Sequence, residues 1–496
     1  MQRAILLAAV VLLSCQAVSS FGPTAPTSAP PTATTIPTDI LPTATTVPTA
    51  KATPKSLEGF EVLLHPDGPL YIGDLISIEV ISPGDLDLDD KTVMIEVAGI
   101  KDDQAVTEFR AYGIDARLQA TFNWIWDTSD LQAGEYDIDF SVQPDGPTWV
   151  EKVRLLPQSD LPHPEPAAIW ETIVIECCEI HYISGTDFEH DLINNLETVQ
   201  SQAEEAARRM ELEFDQTIPI TILPRVLGHG GFASSEIYVS YLDENYAGND
   251  LSQVLHHEMV HILDRRLGGD LRPSLFVEGL AVYLSEGHFK KEPLLSRAAA
   301  LVDLGWYLPL IDLADAFYTS QHEVGYLEGG ALVEFMINRY GWDAFSDFYR
   351  DIHPHPSESQ SKAIDQALQE HFALTFEQLE GLFVAHLQGR HINPDMRDDL
   401  MLSVNYYEAV RRYQQNLDTS AYFLTAWLPA GDEMRERGIV ADYLRRPREP
   451  QNLEIEKLLV EVDLQIRAGN YRQAEKALHQ VERKLDQIQR EGVSGN

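Results

Sequence analysis

Residues Leu251 to Asp264 read L-S-Q-V-L-H-H-E-M-V-H-I-L-D, with three histidines and a glutamate among aliphatic residues. The aliphatic positions have the spacing of an amphipathic helix. On a helix, His257 and His261 share one face, one turn apart, and two imidazoles so placed can bind one metal ion at about 2 Å each. Glu258 follows the first histidine and can take a proton from a water that the metal activates. The stretch therefore predicts a helix that carries a zinc site.

A catalytic zinc needs a third protein ligand and an open position for water. An extended three-histidine motif would place Gly at 264 and His at 267, where this chain has Asp264 and Leu267. The helix is expected to stop at Gly268, and the next helix to begin near Pro273. That second helix reads P-S-L-F-V-E-G-L-A-V-Y-L, and a lone carboxylate among such apolar residues is costly unless it is paired or coordinated. Glu278 is therefore the predicted third ligand of one Zn²⁺ per chain.

The run H-H-E-M-V-H-I-L-D, followed by V-E-G-L-A-V-Y, resembles the gluzincin metallopeptidases, and within them the bacterial group with an E-G-x-A-x-Y second helix. The resemblance extends over roughly residues 170–390 and includes Y-L-E-G-G-A-L-V-E-F-M-I-N-R-Y-G at Tyr326 to Gly341. It implies that His257, His261 and Glu278 bind zinc and that Glu258 is the general base. It also implies a peptide substrate that pairs with an edge strand near residues 235–241.

The resemblance, and one position at which this chain departs from it, give expected roles to three further residues. Tyr326 is the candidate for stabilising the oxyanion of the reaction, with His322 as second choice and simple packing of Tyr326 equally open. Thermolysin-like members have an aspartate four residues after the glutamate ligand, where it orients a histidine ligand, and this chain has Val282 there. Asp264, one turn past His261, is the remaining candidate for that orienting role.

The N-terminus predicts export. A short basic start and the apolar run Ala4 to Leu13 have the size of a signal peptide and are too short to span a bilayer. The run ends in L-L-S-C, which resembles a bacterial lipobox and implies a signal peptide at residues 1–14 with a lipidated Cys15. A plain secretory signal is the alternative. We expect an extracytoplasmic protein that is anchored to the membrane at the cell surface or in the periplasm.

Between the predicted signal peptide and residue 157, the chain consists of two regions of different composition. Residues 15–56 are almost entirely Pro, Thr, Ala and Ser, which predicts a disordered linker. Residues 57–157 alternate with period two between turn signals, which predicts an antiparallel β-sandwich. The piece F-N-W-I-W-D-T-S-D-L-Q-A-G-E-Y-D-I-D-F resembles part of a bacterial immunoglobulin-like (Ig-like) domain. This region shows no catalytic motif, so a spacer or a weak adhesive module is the expectation.

The remaining chain predicts two more regions. Strands predicted over residues 171–182, 218–223 and 236–241, with most of the helices after them, indicate an α+β domain over residues 168–390. The resemblance makes it a zincin-like metallopeptidase domain. Residues 400–490 have helical patterns, and R-A-G-N-Y-R-Q-A resembles the turn of a tetratricopeptide-type hairpin, which we interpret as a structural cap. Cys177 and Cys178 are expected as buried strand residues, with a disulfide between them as the alternative.

Charge and motif together restrict the function. With 37 basic and 78 acidic residues the formal net charge is −41, which disfavours binding to nucleic acid. The first hypothesis is a zinc peptidase, and the lack of a G-x-M-E-N-like stretch favours an endopeptidase over an aminopeptidase. The alternatives are a non-catalytic surface lipoprotein that binds a protein or glycan with a vestigial metal site, and a zinc hydrolase with a non-peptide substrate.

Overall fold

The strands of the N-terminal region follow the period-two pattern of the sequence, as predicted. A computed structural model describes residues 59–494, apart from positions 85, 87, 89, 102, 103, 243 and 249. The first eight strands are β1 (Glu61–His65), β2 (Leu70–Tyr71), β3 (Leu75–Ile81), β4 (Thr92–Glu96), β5 (Gln104–Tyr112), β6 (Arg117–Asp127), β7 (Gly134–Gln143) and β8 (Thr148–Leu156). The predicted signal peptide, Cys15 and the predicted linker lie outside the described residues.

These eight strands form one curled sheet, hereafter the β region, in the order β1-β3-β6-β5-β4-β7-β8-β2. Strand β5 joins its two halves, because residues 104–108 pair with β4 and residues 109–112 pair with β6. The apolar positions of the alternating pattern point into the curl, where Ile76, Ile78 and Trp126 are fully buried. The β architecture of this region is thus confirmed.

A second, five-stranded sheet follows, in the order β12-β13-β11-β10-β9. Its strands are β9 (Trp170–Val174), β10 (Cys178–Ile183), β11 (Ile218–Leu223), β12 (Gly231–Ala233) and β13 (Ile237–Ser240). Strand β11 has the predicted bounds. The single strand expected over residues 171–182 is instead an antiparallel pair, β9 and β10. Cys177 lies in the turn between them and is joined to Cys178 by a disulfide, so only Cys178 is a buried strand residue.

Fifteen α-helices lie in the described part of the chain; two of them lie between β10 and β11, and the others follow β13. They are α1 (Asp187–His190), α2 (Leu192–Met210), α3 (Leu251–Leu267), α4 (Ser274–Leu284), α5 (Leu294–Leu304), α6 (Leu310–Asp315), α7 (His322–Tyr340), α8 (Trp342–Arg350), α9 (Gln360–Phe372), α10 (Phe376–Gln388), α11 (Pro394–Leu417), α12 (Gly431–Arg437), α13 (Ala441–Leu444), α14 (Pro450–Arg467) and α15 (Tyr471–Ser494). Among the described residues, no helix is long and apolar enough to cross a membrane.

The five-stranded sheet is covered on both faces because its strands alternate between two apolar clusters. On one face, Ile237 and Val239 of β13 pack in the cluster that holds α2 and α3. On the other face, Tyr238 packs with residues of the C-terminal segment 421–444 and with Trp124 of the β region. The C-terminal segment therefore covers the face of the sheet opposite α3, the helix that carries the histidine motif.

A buried ionic contact joins the β region to Arg445, the residue that directly follows the C-terminal segment. Arg445 donates two hydrogen bonds to the carboxylate of Asp74, at 2.6 and 2.8 Å, and it also pairs with Glu165. Nearby, the ring of Trp427 stacks on His65 of β1 at a centroid distance of 4.0 Å. The described residues form one compact unit, in which the β region packs against the helical part.

Candidate metal centre and cleft

The three predicted ligands meet at the crossing of helices α3 and α4. Asp250 caps α3 by accepting a hydrogen bond from the backbone N–H of Gln253, and the helix ends before Gly268, as predicted. Nε2 of His257 lies 3.2 Å from Oε2 of Glu278, and Nε2 of His261 lies 3.3 Å from the same oxygen. All three side chains are nearly buried, with 13%, 13% and 8% of their surface exposed.

The arrangement of these atoms fits a zinc ion. One ligand atom from each of the three residues lies within 4.8 Å of the others, and among the described residues this is the only group of its kind. Two ligands on a tetrahedral zinc with bonds of about 2.0–2.1 Å lie about 3.3–3.4 Å apart, close to the two separations given above. The donor set of two imidazoles and one carboxylate is also one that zinc accepts in catalytic sites.

Helix α4 is held in place by glycine contacts with α7. A Cβ on Gly279, next to the ligand Glu278, would lie 2.5 Å from the carbonyl oxygen of Gly329 on α7. A Cβ on Gly330 would likewise lie 2.5 Å from Cγ1 of Val282. Glycine inside a helix costs roughly 0.5–1 kcal/mol relative to alanine, and here it allows two backbones to approach closely. The same contact accounts for the valine at position 282. An aspartate there would be buried against α7 and would not lie beside a histidine ligand.

The carboxylate of Glu258 faces the same cavity as the three ligands and lies beside strand β12. A Cβ on Gly231 would lie 2.9 Å from Oε1 of Glu258 and 2.3 Å from Cγ1 of Val254. Strand and helix are therefore in direct contact at the predicted general base.

The edge strand of the sheet is β12, and the predicted edge near residues 235–241 is wrong. That segment does form a strand, β13, but β13 lies between β12 and β11. The backbone N–H of Ser240 donates a hydrogen bond to the carbonyl of Gly230, and that of Ser234 donates to the carbonyl of Glu236. The backbone groups of the even-numbered residues 230–234 therefore face β13. By the alternation of an antiparallel ladder, the backbone groups of Gly231 and Ala233 face away from β13, and the carbonyl of Ala233 accepts a hydrogen bond of 3.3 Å from Nη2 of Arg265. The three-residue run G-F-A has no alternating pattern that could have predicted it.

Two residues that the sequence did not single out, the half-buried Tyr318 and the buried His288, lie beside the centre. The Tyr318 hydroxyl donates a hydrogen bond of 2.7 Å to Oε1 of Glu278, the ligand oxygen that does not face the histidines. His288, just past α4, lines the cavity, and its Nδ1 lies 2.7 Å from Oε2 of the fully buried Glu323. Neither residue belongs to a spaced motif, and His288 meets Glu323 only because α4 and α7 pack together.

Tyr326 and His322 both lie on the first turns of α7 and line the cavity. The Tyr326 ring stacks on His288 at a centroid distance of 4.2 Å and lies 6.2 Å from the His257 ring. Burial, together with the charge of Glu278, raises the pKa of the Tyr326 hydroxyl well above its ordinary value, so it stays protonated. His322 packs against the ring of His229 at 3.8 Å. The predicted oxyanion role of Tyr326 is not decided by these contacts.

Asp264 is fully buried, but no hydrogen bond joins it to His261. Its Oδ2 accepts a hydrogen bond of 2.8 Å from Nη1 of Arg272, which offers a full opposite charge at the start of the next helix. In the described part of the chain, Nδ1 of His261 has no hydrogen-bond partner. The proposed orientation of His261 by Asp264 stays a prediction.

Burial is the largest influence on the titration of these side chains. It raises the pKa of Glu258 to about 7 and lowers the pKa of His257 to about 4. Burial also lowers the pKa of His261, but the carboxylate of Glu278 outweighs it and raises that pKa to about 9. His261 and Glu278 can therefore form a buried ion pair, and zinc has to displace a proton to bind His261.

The centre opens into a cavity of about 760 Å³ that is built from distant parts of the chain. The ligand helices form one wall and strand β12 another. The C-terminal segment contributes residues 423–430 except Thr425 and Trp427, and the β region contributes the turn after β5, from Tyr112 to Ile114. The β region is therefore part of the site and not only a spacer.

A scan against models of known protein families found no match for the chain, and a search of curated proteins found none either. The geometry of the metal centre and of the cleft is therefore what supports a function.

Proposed function

We propose that the protein is a zinc-dependent peptidase that hydrolyses internal peptide bonds. The observation that carries this proposal is the position of Glu258, which faces one cavity together with a His257–His261–Glu278 cluster and the edge strand β12. A buried ion pair alone would need neither a further buried carboxylate nor a strand edge beside it.

His257, His261 and Glu278 would hold one zinc ion, with Tyr318 fixing the orientation of the Glu278 carboxylate. When bound, zinc supplies Lewis acidity that lowers the pKa of water to about 7 and polarises a carbonyl group. Glu258 accepts the proton of the attacking water and delivers it to the leaving amine. Tyr326 can donate a hydrogen bond from its hydroxyl to the developing oxyanion, and His288 can donate one from Nε2 when its ring holds both protons, because its Nδ1–H donates to the Glu323 carboxylate.

The peptide substrate follows from the edge strand. The outward backbone groups of Gly231 and Ala233 can pair with an extended chain once the Arg265 side chain releases the Ala233 carbonyl, and sheets commonly bind peptides in this way. An aminopeptidase needs a carboxylate for the free amine of its substrate. Among the described residues that line the cavity, Glu258 and Glu278 are the only carboxylates, and both have other roles here. This favours an endopeptidase.

The finer fold types belong to the same proposal. A motif helix packed on a mixed sheet, with the third ligand on the next helix, supports a zincin-like domain. The alternating strands of the β region support an Ig-like relationship, although β5 joins the strands into one curled sheet. The L-L-S-C pattern supports lipid anchoring through Cys15 and hence an extracytoplasmic location.

The test compares the zinc-loaded protein with Glu258→Gln on a library of unstructured peptides. We expect cleavage by the natural chain and a loss of about 10³-fold in Glu258→Gln, because the general base is gone while the zinc ligands remain. Glu205→Gln, on the exposed face of α2, is the matched control and should cleave normally. Cleavage that survives in Glu258→Gln, or no cleavage by the natural chain, would refute the proposal.

A further inference from the structure

The cavity continues from the metal centre around strand β12 into an apolar chamber. We define the chamber by six lining residues, two each from the β region, the five-stranded sheet and the C-terminal segment: Tyr112, Ile114, Phe232, Tyr238, Leu424 and Leu428. Phe232 and Tyr238 belong to one apolar cluster with Leu428, on the sheet face opposite α3.

The chamber offers no free hydrogen-bonding group from its tyrosines. The Tyr112 hydroxyl donates to the carbonyl of Ala426 at 3.3 Å and accepts from the N–H of Leu428 at 3.1 Å. The Tyr238 hydroxyl donates to Glu236 at 2.5 Å. What these residues present to the cavity is therefore ring surface, and polar ligand groups entering there would lose their hydrogen bonds to water.

The wall from the β region is held rigidly. Gly113 has a φ of +71°, and a Cβ there would lie 2.3 Å from the carbonyl oxygen of Leu424. That same oxygen accepts a hydrogen bond of 3.2 Å from the N–H of Asp115. Because the turn fits so closely on the C-terminal segment, the chamber is formed before any ligand binds. A preformed apolar pocket loses little entropy when it is filled.

Strand geometry decides which part of a peptide would reach the chamber. Gly231 faces α3 and Glu258, so the next residue, Phe232, points to the opposite sheet face. Neighbouring residues of paired strands point to the same face. A peptide paired with β12 therefore directs the side chain beside Phe232 into the chamber, while its neighbours face the metal centre or the solvent.

We propose that this chamber binds a large apolar side chain of the extended peptide, so that Ile114 of the β region determines substrate selection by the metal centre. The proposal rests on the proposed peptidase function. The substrate class is an internal, unstructured segment with a leucine- or phenylalanine-sized residue at one fixed position near the cleaved bond.

Ile114 is the side chain to change, because it is 37% exposed and can be replaced without opening a core. The full chain, loaded with zinc, is assayed on peptides that carry leucine, phenylalanine, serine or aspartate at each position in turn. We expect one position at which kcat/KM for leucine or phenylalanine exceeds that for serine by tenfold or more. Ile114→Asp should lose this preference, and Ile114→Val should keep it.

Val106→Asp is the matched control, because Val106 is 55% exposed on the same sheet and does not line the cavity. It should leave the preference unchanged. Where the natural chain cleaves peptides with dependence on Glu258, an unchanged preference in Ile114→Asp, or no apolar preference in the natural chain, overturns the chamber proposal and leaves the peptidase proposal standing.

A binding measurement tests the chamber proposal without relying on cleavage. Zinc-loaded Glu258→Gln and the double variant Glu258→Gln/Ile114→Asp are each titrated with fluorescently labelled forms of the leucine and serine peptides. Tighter binding of the leucine peptide by tenfold, abolished by Ile114→Asp, supports the chamber even if the natural chain cleaves nothing. Equal binding of both peptides overturns it.

Discussion

Gly231 and Glu258 lie against each other, one on the edge strand β12 and the other on the helix that carries the histidine ligands. A Cβ at position 231 would lie 2.9 Å from Oε1 of Glu258 and only 2.3 Å from Cγ1 of Val254. The carboxylate can rotate away, but the branched Val254 side chain cannot move as easily. The distance between the proposed peptide-binding edge and the proposed general base is thus set by the absence of a side chain at position 231.

Gly231→Ala should therefore lower kcat by about 10- to 100-fold, because a shift of about 1 Å in substrate position costs that much. Zinc content should not change, since no ligand moves. Gly381→Ala is the control, because a Cβ on that exposed helical glycine meets nothing within 4 Å. Steady-state kinetics with a cleaved peptide give the comparison, and full activity in Gly231→Ala would show that β12 does not position the substrate.

His288 should contribute to the reaction through its contact with Glu323. We expect His288→Ala to lower kcat by about 10²-fold, because it removes a hydrogen-bond donor from the cavity. Glu323→Gln should lower kcat by about tenfold, because the ring loses the carboxylate that orients it. Both variants should keep their zinc. His353→Ala, on an exposed loop, is the control. Activity within twofold of the natural chain in His288→Ala would assign His288 a packing role.

The sequence predicted those parts of the site that depend on contacts between residues close in sequence. Helices α3 and α4 and the meeting of His257, His261 and Glu278 depend on patterns within one helical hairpin, so spacing and apolar periodicity were sufficient. Strand β12 was missed because three residues show no periodicity and the edge is defined only by its partner β13.

The longer contacts left no local signal. His288 meets Glu323 through the packing of α4 on α7, and Ile114 reaches the cleft through the fit of its turn on Leu424. The β region was expected as a spacer for the same reason, because its part in the cavity depends on residues more than 300 positions away, such as Leu428 against Tyr112. Likewise, the strand pattern around Cys177 did not reveal the turn between β9 and β10.

Stability should depend on pH through Glu79, which is buried beside His65 in the β region. Burial by itself raises the pKa of Glu79, but His65, Arg117 and Gln119 outweigh it and hold the pKa below its ordinary value of 4.5. A lowered pKa in the folded state stabilises the protein above pH 4.5, and this stabilisation is lost as the pH falls through the folded-state pKa.

Glu79→Gln should therefore melt below the natural chain at pH 7, and the gap between the two Tm values should narrow between pH 5 and pH 3. Thermal unfolding followed by circular dichroism measures this. Glu108→Gln, with an exposed side chain, should show no gap at any pH. A gap of constant size from pH 7 to pH 3 would be incompatible with the lowered pKa.

Arg445 should hold the β region on the C-terminal segment. Its guanidinium is 4% exposed and binds the Asp74 carboxylate at two points. Arg445→Met leaves that buried carboxylate without its partner, which should cost about 3–5 kcal/mol of unfolding free energy in urea titrations. Arg110→Met, at an exposed ion pair, should cost less than about 1 kcal/mol. A similar small loss in both variants would mean that other contacts hold the two parts together.

The central claim is the zinc site, and its most direct test is elemental analysis of the purified protein after zinc loading and desalting. His261→Ala removes one ligand, whereas His256→Ala removes the neighbouring histidine, which contacts Gln202 on the other side of the helix. We predict about one zinc per chain in the natural protein and in His256→Ala, and none in His261→Ala. A natural chain that retains no zinc would contradict the account and leave His261 and Glu278 as a buried ion pair.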